Sequence, residues 1–123
     1  MTKIESRVES DIDKLASQLQ QLIRVPSVSA KKELTLIKCA NLVSELMSKA
    51  GIKSELLKLD DNLEQIPPIV YGEVKSKGNP NGKTILFYNH YDVQPAEQIE
   101  LWKDDPFSGK IDGNFIFGRG STD

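Results

Sequence analysis

The sequence is poor in cysteine, in histidine and in surplus positive charge, with one Cys and one His among 123 residues. Its single Cys39 cannot form an internal disulfide and falls in an apolar helical pattern, which is typical of a protein in a reducing compartment. The 16 basic side chains are outnumbered by 18 acidic ones, for a net charge of −2. Because Lys and Arg are scattered from Lys3 to Arg119, no basic stripe is available for a phosphate backbone, and nucleic-acid binding is excluded.

Long apolar runs and an N-terminal leader are also missing. The longest unbroken apolar run, Ile85–Tyr88, is far shorter than the roughly 20 residues that a membrane helix needs. The segment Met1–Lys14 is charged throughout and has no apolar stretch of the kind found in secretory signals. We therefore predict a cytoplasmic protein without a membrane partner.

The length of the chain limits its core. With 123 residues and 38% hydrophobic content, the chain is one domain at most and its core is thin. Half of a larger domain would show the same numbers.

Two amphipathic helices are predicted at the start of the chain. Apolar residues recur at spacings of three and four over Ile4–Ile23. Pro26 ends this helix, because the residue before a proline is pushed out of helical geometry. A second apolar stripe covers Leu36–Ala50, and Gly51 stands where a left-handed C-terminal cap is expected.

After the helices, the apolar pattern changes to short runs rich in Ile, Val and aromatic residues, which predict strands. These runs are Ile52–Leu59, Ile69–Val74 and Thr84–Tyr88. Turn-forming residues fill Gly78–Gly82, so we predict an antiparallel hairpin between the last two runs. Asp112-Gly113 predicts another tight turn, before Phe115–Phe117. The predicted fold class is α/β, with two helices packed on a mixed sheet.

The only histidine, His90, comes just after the third predicted strand, where ligands commonly bind in open α/β sheets. Asp92 lies two residues further on. A metal-ligating imidazole usually donates its second N–H to a carboxylate, and a His-x-Asp spacing in a turn can supply that partner. From these residues alone a second interpretation stays open, in which His90 is a histidine with satisfied hydrogen bonds at a strand end.

A second motif is Gly118-Arg119-Gly120-Ser121-Thr122-Asp123, in which glycines allow close backbone approach and Asp123 offers two hard oxygens to a cation. Four segments of the sequence together resemble the N-terminal part of the di-zinc metallopeptidases. They are LIRVPSVS and, after it, FYNHYDVQP, WKDDPF and IDGNFIFGRGSTD. That family includes carnosine-type dipeptidases, aminoacylases, carboxypeptidase G-type enzymes and succinyl-diaminopimelate desuccinylase. The resemblance extends from Leu22 to Asp123.

The resemblance implies a fold and a ligand set. The fold would be the N-terminal part of a three-layer αβα zinc-aminopeptidase-like domain, with residues 1–123 as an incomplete catalytic domain. His90 would bind one metal ion, and Asp123 would bridge two zinc ions, for which cobalt or manganese could substitute. Asp92 would be the catalytic-site carboxylate that orients His90. Because two-metal sites activate water, the implied reaction is hydrolysis of a dipeptide. Asn89 departs from the family, in which many members have glycine before the histidine.

The resemblance also indicates which parts of the site this sequence does not contain. A catalytic zinc needs three protein ligands and a water, whereas this chain supplies two. The family's general-base glutamate, its further ligands and a lid domain that commonly carries homodimer contacts would lie downstream. We therefore expect an N-terminal fragment that is inactive alone. Two alternatives stay open: a piece of an N-acyl amino acid deacylase, and a non-catalytic module that binds another protein through its sheet face.

Residues between the two motifs carry weaker expectations. Trp102 with Pro106-Phe107 is expected to pack as part of a long surface loop, with a place in a substrate rim as the alternative. Arg119 is expected to be a solvated charge.

Overall fold

The computed structural model describes residues 2–31, 34–59, 66–79 and 81–122. The chain divides into two compact units, Met1–Pro26 with Val93–Asp123, and Ser27–Asp92. In chain order the elements are helix α1 (Lys3–Ile23), a 3₁₀ turn (Ser29–Lys31), helix α2 (Leu34–Lys49), strands β1 (Lys53–Leu57) and β2 (Ile69–Glu73), a 3₁₀ turn (Ile99–Leu101), and strands β3 (Lys110–Asp112) and β4 (Phe115–Phe117).

Helix α1, in the first unit, begins at a reciprocal cap. The Glu5 amide donates to Thr2 Oγ1 at 3.2 Å, and the Thr2 amide donates to the Glu5 carboxylate at 2.6 Å. This capping box satisfies amides that have no partner inside the helix. The helix ends at Ile23, just before Pro26, as the sequence predicts. Its apolar stripe is exposed at the start, where Ile4 is 76% exposed, and buried at Ile23.

The C-terminal end of α1 is tied to the loop that precedes β3. Gln20 Nε2 donates to the Gly109 carbonyl at 2.7 Å, and Arg24 Nε donates to the Ser108 carbonyl at 3.1 Å. These two side chains join segments that are far apart in sequence and so hold the first unit together.

Strands β3 and β4 form the short hairpin that the sequence predicts. Asp112 pairs with Phe115, which leaves Gly113 and Asn114 as a two-residue loop. Gly113 has a φ of +57°, the left-handed geometry that a tight hairpin requires and that glycine adopts at little cost.

In the second unit, helix α2 packs against the antiparallel pair β1–β2. The register runs from Lys53 opposite Glu73 to Leu57 opposite Ile69. Gly51 follows α2 with a φ of +80°, which confirms the predicted C-terminal cap.

The predicted hairpin at Gly78–Gly82 is wrong. Strand β2 pairs with β1, and within the described ranges Thr84–Tyr88 takes part in neither ladder. The side chains of Ile85–Tyr88 are between 75% and 88% exposed. Strand-like composition indicates that a segment fits a pleated sheet, but it does not select the neighbouring strand.

The described residues combine helices with strands, which confirms the predicted α/β class, but their strands form two separate antiparallel pairs and not the predicted mixed sheet. The core is thin, as expected from the composition. Its buried apolar side chains are Ile23 and Val25 in the first unit, and Val28, Leu36, Cys39 and Ala40 in the second. Among the residues that the structure describes, neither helix is long and apolar enough to span a bilayer.

Candidate metal centre

His90 follows the unpaired run Thr84–Tyr88 and lies outside every helix and strand. Its side chain is 54% exposed and that of Asp92 is 39% exposed. The sequence analysis predicts His90 just beyond a strand; the structure instead has no strand at Thr84–Tyr88, and His90 follows an exposed apolar run and lies outside any helix. At this exposure an ion can reach the imidazole from solvent.

One ring nitrogen of His90 has a well-defined partner. His90 Nδ1 lies 2.8 Å from the main-chain oxygen of Asp92 and 3.4 Å from the carboxylate Oδ1 of the same residue. A carbonyl oxygen can only accept, so Nδ1 is the donor. The neutral imidazole then has its lone pair on Nε2, the nitrogen that can coordinate a metal. The sequence predicts the carboxylate as the partner, whereas the nearer partner is the carbonyl.

The residue between His90 and Asp92 is held at two of its groups. The carbonyl of Tyr91 accepts hydrogen bonds from Ser27 Oγ at 2.8 Å and from Cys39 Sγ at 3.5 Å. The Tyr91 hydroxyl donates to the Pro68 carbonyl at 2.6 Å. The sequence analysis missed this arrangement. Its only signal is a serine in an otherwise apolar stretch, Val25-Pro26-Ser27-Val28, which suggests a buried hydroxyl without indicating the acceptor.

The Cys39 thiol and the Tyr91 phenol both keep their protons at neutral pH. Burial, as the largest cause, raises the pKa of the Cys39 thiol; the hydrogen bond with Ser27 lowers it and the Asp92 charge raises it. Burial also raises the pKa of the Tyr91 phenol, with further contributions from Cys39 and Asp92. Protonated thiol and phenol groups act as hydrogen-bond donors. The interpretation of Cys39 as a core thiol is confirmed, since the residue is 1% exposed.

The glycine motif packs tightly in the first unit. The Arg119 amide donates to the Pro106 carbonyl at 2.7 Å, and the Ser121 amide donates to the Gly118 carbonyl at 3.2 Å. A Cβ at Gly118 would lie 2.5 Å from Ile23 Cγ2, so the close approach requires glycine. The sequence analysis infers this close approach from residue type alone.

Arg119 is not the solvated charge that the sequence predicts. Its guanidinium lies over the Trp102 ring, 5.4 Å from the centroid, in a cation–π contact. Its Nε atom is buried and, within the part of the chain that the structure describes, has no hydrogen-bond partner. Trp102 also lines a cavity of about 470 Å³ in this unit, next to the Lys110–Asp104 ion pair.

The full ligand set of a metal site is not present among the described residues. In 2–31, 34–59, 66–79 and 81–122, no group of three His, Cys, Asp or Glu side chains lies close enough to hold an ion. Asp123, the predicted bridging ligand, lies outside the described residues. The ligand roles of His90 and Asp123 and the catalytic role of Asp92 therefore remain predictions.

Comparison with known proteins places these motifs in a family. The sequence profile of peptidase family M20/M25/M40 matches residues 86–123. The Cys-Gly metallodipeptidase dug1 of Schizosaccharomyces pombe is 34% identical over 131 residues, covering 100% of this chain and 27% of that protein.

Two solved structures share the fold. The dipeptidase Dug1p of Saccharomyces cerevisiae superposes with a TM-score of 0.81 at 29% identity, over 96% of this chain and 26% of its own. The M20 family metallo-carboxypeptidase Sso-CP2 of Sulfolobus solfataricus superposes with a TM-score of 0.71 at 38% identity, over 84% of this chain and 22% of its own.

The chain spans about a quarter of the length of these relatives. The profile covers the histidine motif and the glycine motif, and the two solved structures agree with the α/β fold built from the helices and strands above. The resemblance that these motifs indicate is confirmed: the chain is similar to members of peptidase family M20/M25/M40, and the match to the family profile covers residues 86–123.

Proposed function

We propose that this chain contributes His90 and Asp92 to the active site of a metal-dependent dipeptidase. The observation that carries the proposal is the hydrogen bond from His90 Nδ1 to the Asp92 carbonyl at 2.8 Å, which places the ring proton on Nδ1 and the lone pair of the neutral imidazole on Nε2. The relatives named as metallodipeptidases support the reaction class, and Cys-Gly is the substrate that their name supplies.

The donor chemistry suits zinc, with cobalt or manganese as substitutes. Imidazole nitrogen and carboxylate oxygen are both ligands that zinc accepts. His90 would be a ligand through Nε2, and Asp123 would be the bridging carboxylate, a role that rests on the family resemblance alone. When bound, a pair of metal ions would lower the pKa of a water molecule and polarise the scissile carbonyl.

The described residues would orient the ligand. The Asp92 carbonyl holds the proton of His90 on Nδ1, and the Asp92 carboxylate, 3.4 Å from the same nitrogen, places negative charge beside the ring. Such partners fix the tautomer and raise the basicity of the coordinating nitrogen. Because a catalytic zinc needs three protein ligands, we propose that the 123-residue chain alone is inactive. The intact enzyme would be a cytoplasmic protein, and a homodimer.

Two other functions are kept as alternatives. An N-acyl amino acid deacylase would use the same ligands on a different substrate. A non-catalytic protein-binding module is favoured by one observation, the exposure of Ile85–Tyr88 at between 75% and 88%, since contiguous exposed apolar residues often mark an interaction surface.

The test uses the longest natural protein that contains this chain, loaded with zinc and assayed on Cys-Gly and on an N-acetyl amino acid. We expect hydrolysis of Cys-Gly, and loss of both zinc and activity in His90→Ala. Glu97→Ala, which removes an exposed carboxylate outside the motifs, should match the wild type. Preference for the N-acetyl substrate would select the deacylase. Unchanged zinc content in His90→Ala would refute the ligand assignment, and no turnover of either substrate would favour the binding module.

A further inference from the structure

The main-chain carbonyl of Tyr91 accepts hydrogen bonds from two buried side chains that are distant in sequence. Ser27 Oγ donates to it at 2.8 Å and Cys39 Sγ at 3.5 Å. Ser27 is 2% exposed and Cys39 is 1% exposed. Because Tyr91 stands between His90 and Asp92, these donors act on the backbone of the proposed metal site without belonging to its ligands.

We propose that Ser27 is a positioning residue for His90. By holding the Tyr91 carbonyl, its hydroxyl keeps the following residue, Asp92, in the orientation that presents its own carbonyl to His90 Nδ1. The thiol of Cys39 acts as a second, weaker donor to the same oxygen. This inference rests on the proposed function, because the tautomer of His90 matters for catalysis only if Nε2 binds a metal.

The hydrogen bond of Ser27 spans more of the chain than a serine bond usually does. A buried hydroxyl is normally hydrogen-bonded, and serine commonly finds its acceptor within its own segment. Ser27 instead reaches a carbonyl 64 residues later in the chain. The bond therefore connects the segment before α2 to the segment that contains His90. A hydroxyl that only needed an acceptor could have found one within its own segment.

The geometry at the acceptor explains why the connection controls Asp92. A carbonyl oxygen has two lone pairs, and here both have a donor. The Tyr91 carbonyl and the Asp92 amide belong to one planar peptide unit. Fixing the carbonyl oxygen therefore also fixes the orientation of the Asp92 amide. The Tyr91 hydroxyl, bonded to the Pro68 carbonyl at 2.6 Å, prevents the whole residue from shifting. Rotation of this peptide unit is then the motion that would move the Asp92 carbonyl away from the imidazole.

The first measurement uses the metal-free 123-residue chain. His90 is its only histidine, so nitrogen-15 labelling of histidine gives an unambiguous spectrum of one imidazole. At a pH where the ring is neutral, we expect the Nδ1–H tautomer to dominate in the wild type and to lose population in Ser27→Ala. The matched control is Ser44→Ala, which removes the Ser44–Ser54 hydroxyl contact of 2.9 Å in the same unit and should leave the tautomer unchanged.

The second measurement is a zinc titration of the wild type, Ser27→Ala and Ser44→Ala, each in the longest natural protein that contains this chain. Outer-shell partners typically cost about 10–100-fold in metal affinity, and we expect Ser27→Ala to weaken zinc binding by about tenfold, near the lower end of that range. Ser44→Ala should bind zinc like the wild type. If Ser27→Ala does not fold, Cys39→Val replaces it, since valine fills the core without an S–H donor, and it should shift the tautomer in the same direction by a smaller amount.

The two readouts separate this proposal from the proposed function. A tautomer shift in Ser27→Ala with no zinc binding by any protein would support the positioning role and overturn the metal site. Zinc binding by all three proteins, with the tautomer and affinity of Ser27→Ala matching those of Ser44→Ala, would overturn the positioning role and leave the metal site standing.

Discussion

Replacing Gly118 by alanine tests whether the glycine motif is shaped by its packing against α1. A Cβ there would lie 2.5 Å from Ile23 Cγ2 and 3.0 Å from the Pro106 carbonyl oxygen. Ile23 is buried, and the Pro106 oxygen already accepts the Arg119 amide at 2.7 Å, so neither neighbour can move without loss. Overpacking costs about 1–3 kcal/mol, and a weakened hydrogen bond about 0.5–1.5 kcal/mol. We expect Gly118→Ala to lower the free energy of unfolding by roughly 2–4 kcal/mol.

The matched control is Gly113→Ala, in the β3–β4 turn of the same unit. Gly113 has a φ of +57° and no atom within 4 Å of an added Cβ. Only backbone strain of about 1–2 kcal/mol is therefore expected. Urea unfolding followed by the fluorescence of Trp102, the only tryptophan, measures both variants. If Gly118→Ala costs no more than Gly113→Ala, the packing argument is refuted.

Three further predictions concern the metal site and the buried thiol. In the longest natural protein that contains this chain, Asp123→Ala should abolish zinc content and Cys-Gly hydrolysis, and zinc retained by this variant would contradict the prediction. Asp92→Ala should lower metal affinity or activity by about 10–100-fold. The 123-residue chain, supplied with zinc, cobalt or manganese, should show no dipeptidase turnover, and turnover that is lost in His90→Ala would disprove the prediction. Burial raises the pKa of the Cys39 thiol in the folded state above its ordinary value of 9.0. The protonated thiol therefore contributes fully to folding stability below pH 9.0, and this contribution is lost as the pH rises through the folded-state pKa. Urea midpoints should therefore fall more steeply above this pH in the wild type than in Cys39→Val, and parallel curves would argue against a raised pKa.

Local features of the fold could be predicted well. The spacing of apolar residues and Pro26 predict α1, and Gly51 predicts the end of α2. The Asp112-Gly113 pair predicts the β3–β4 turn. Each of these signals acts within a few residues, because helix periodicity, proline sterics and the left-handed geometry of glycine are properties of the local backbone.

Strand pairing could not be predicted in the same way. The composition of Thr84–Tyr88 is typical of a strand, and the turn-forming residues at Gly78–Gly82 predict that it pairs with β2. In the structure β2 pairs with β1 instead. A strand gains stability from the side chains of the strands and helices around it. Here β2 pairs with β1, and α2 packs against both strands. Composition alone does not contain that information.

The sequence by itself indicated the family resemblance, the two helices and the β3–β4 turn, because motif residues and backbone geometry are local. Only the tertiary structure decided that His90 Nδ1 takes the Asp92 carbonyl as its nearer partner. It also decided that Ser27 reaches the Tyr91 carbonyl. The link between Ser27 and Tyr91 joins residues far apart in the chain, and such contacts exist only after burial has brought the donor and the acceptor together and excluded the water that would otherwise satisfy them.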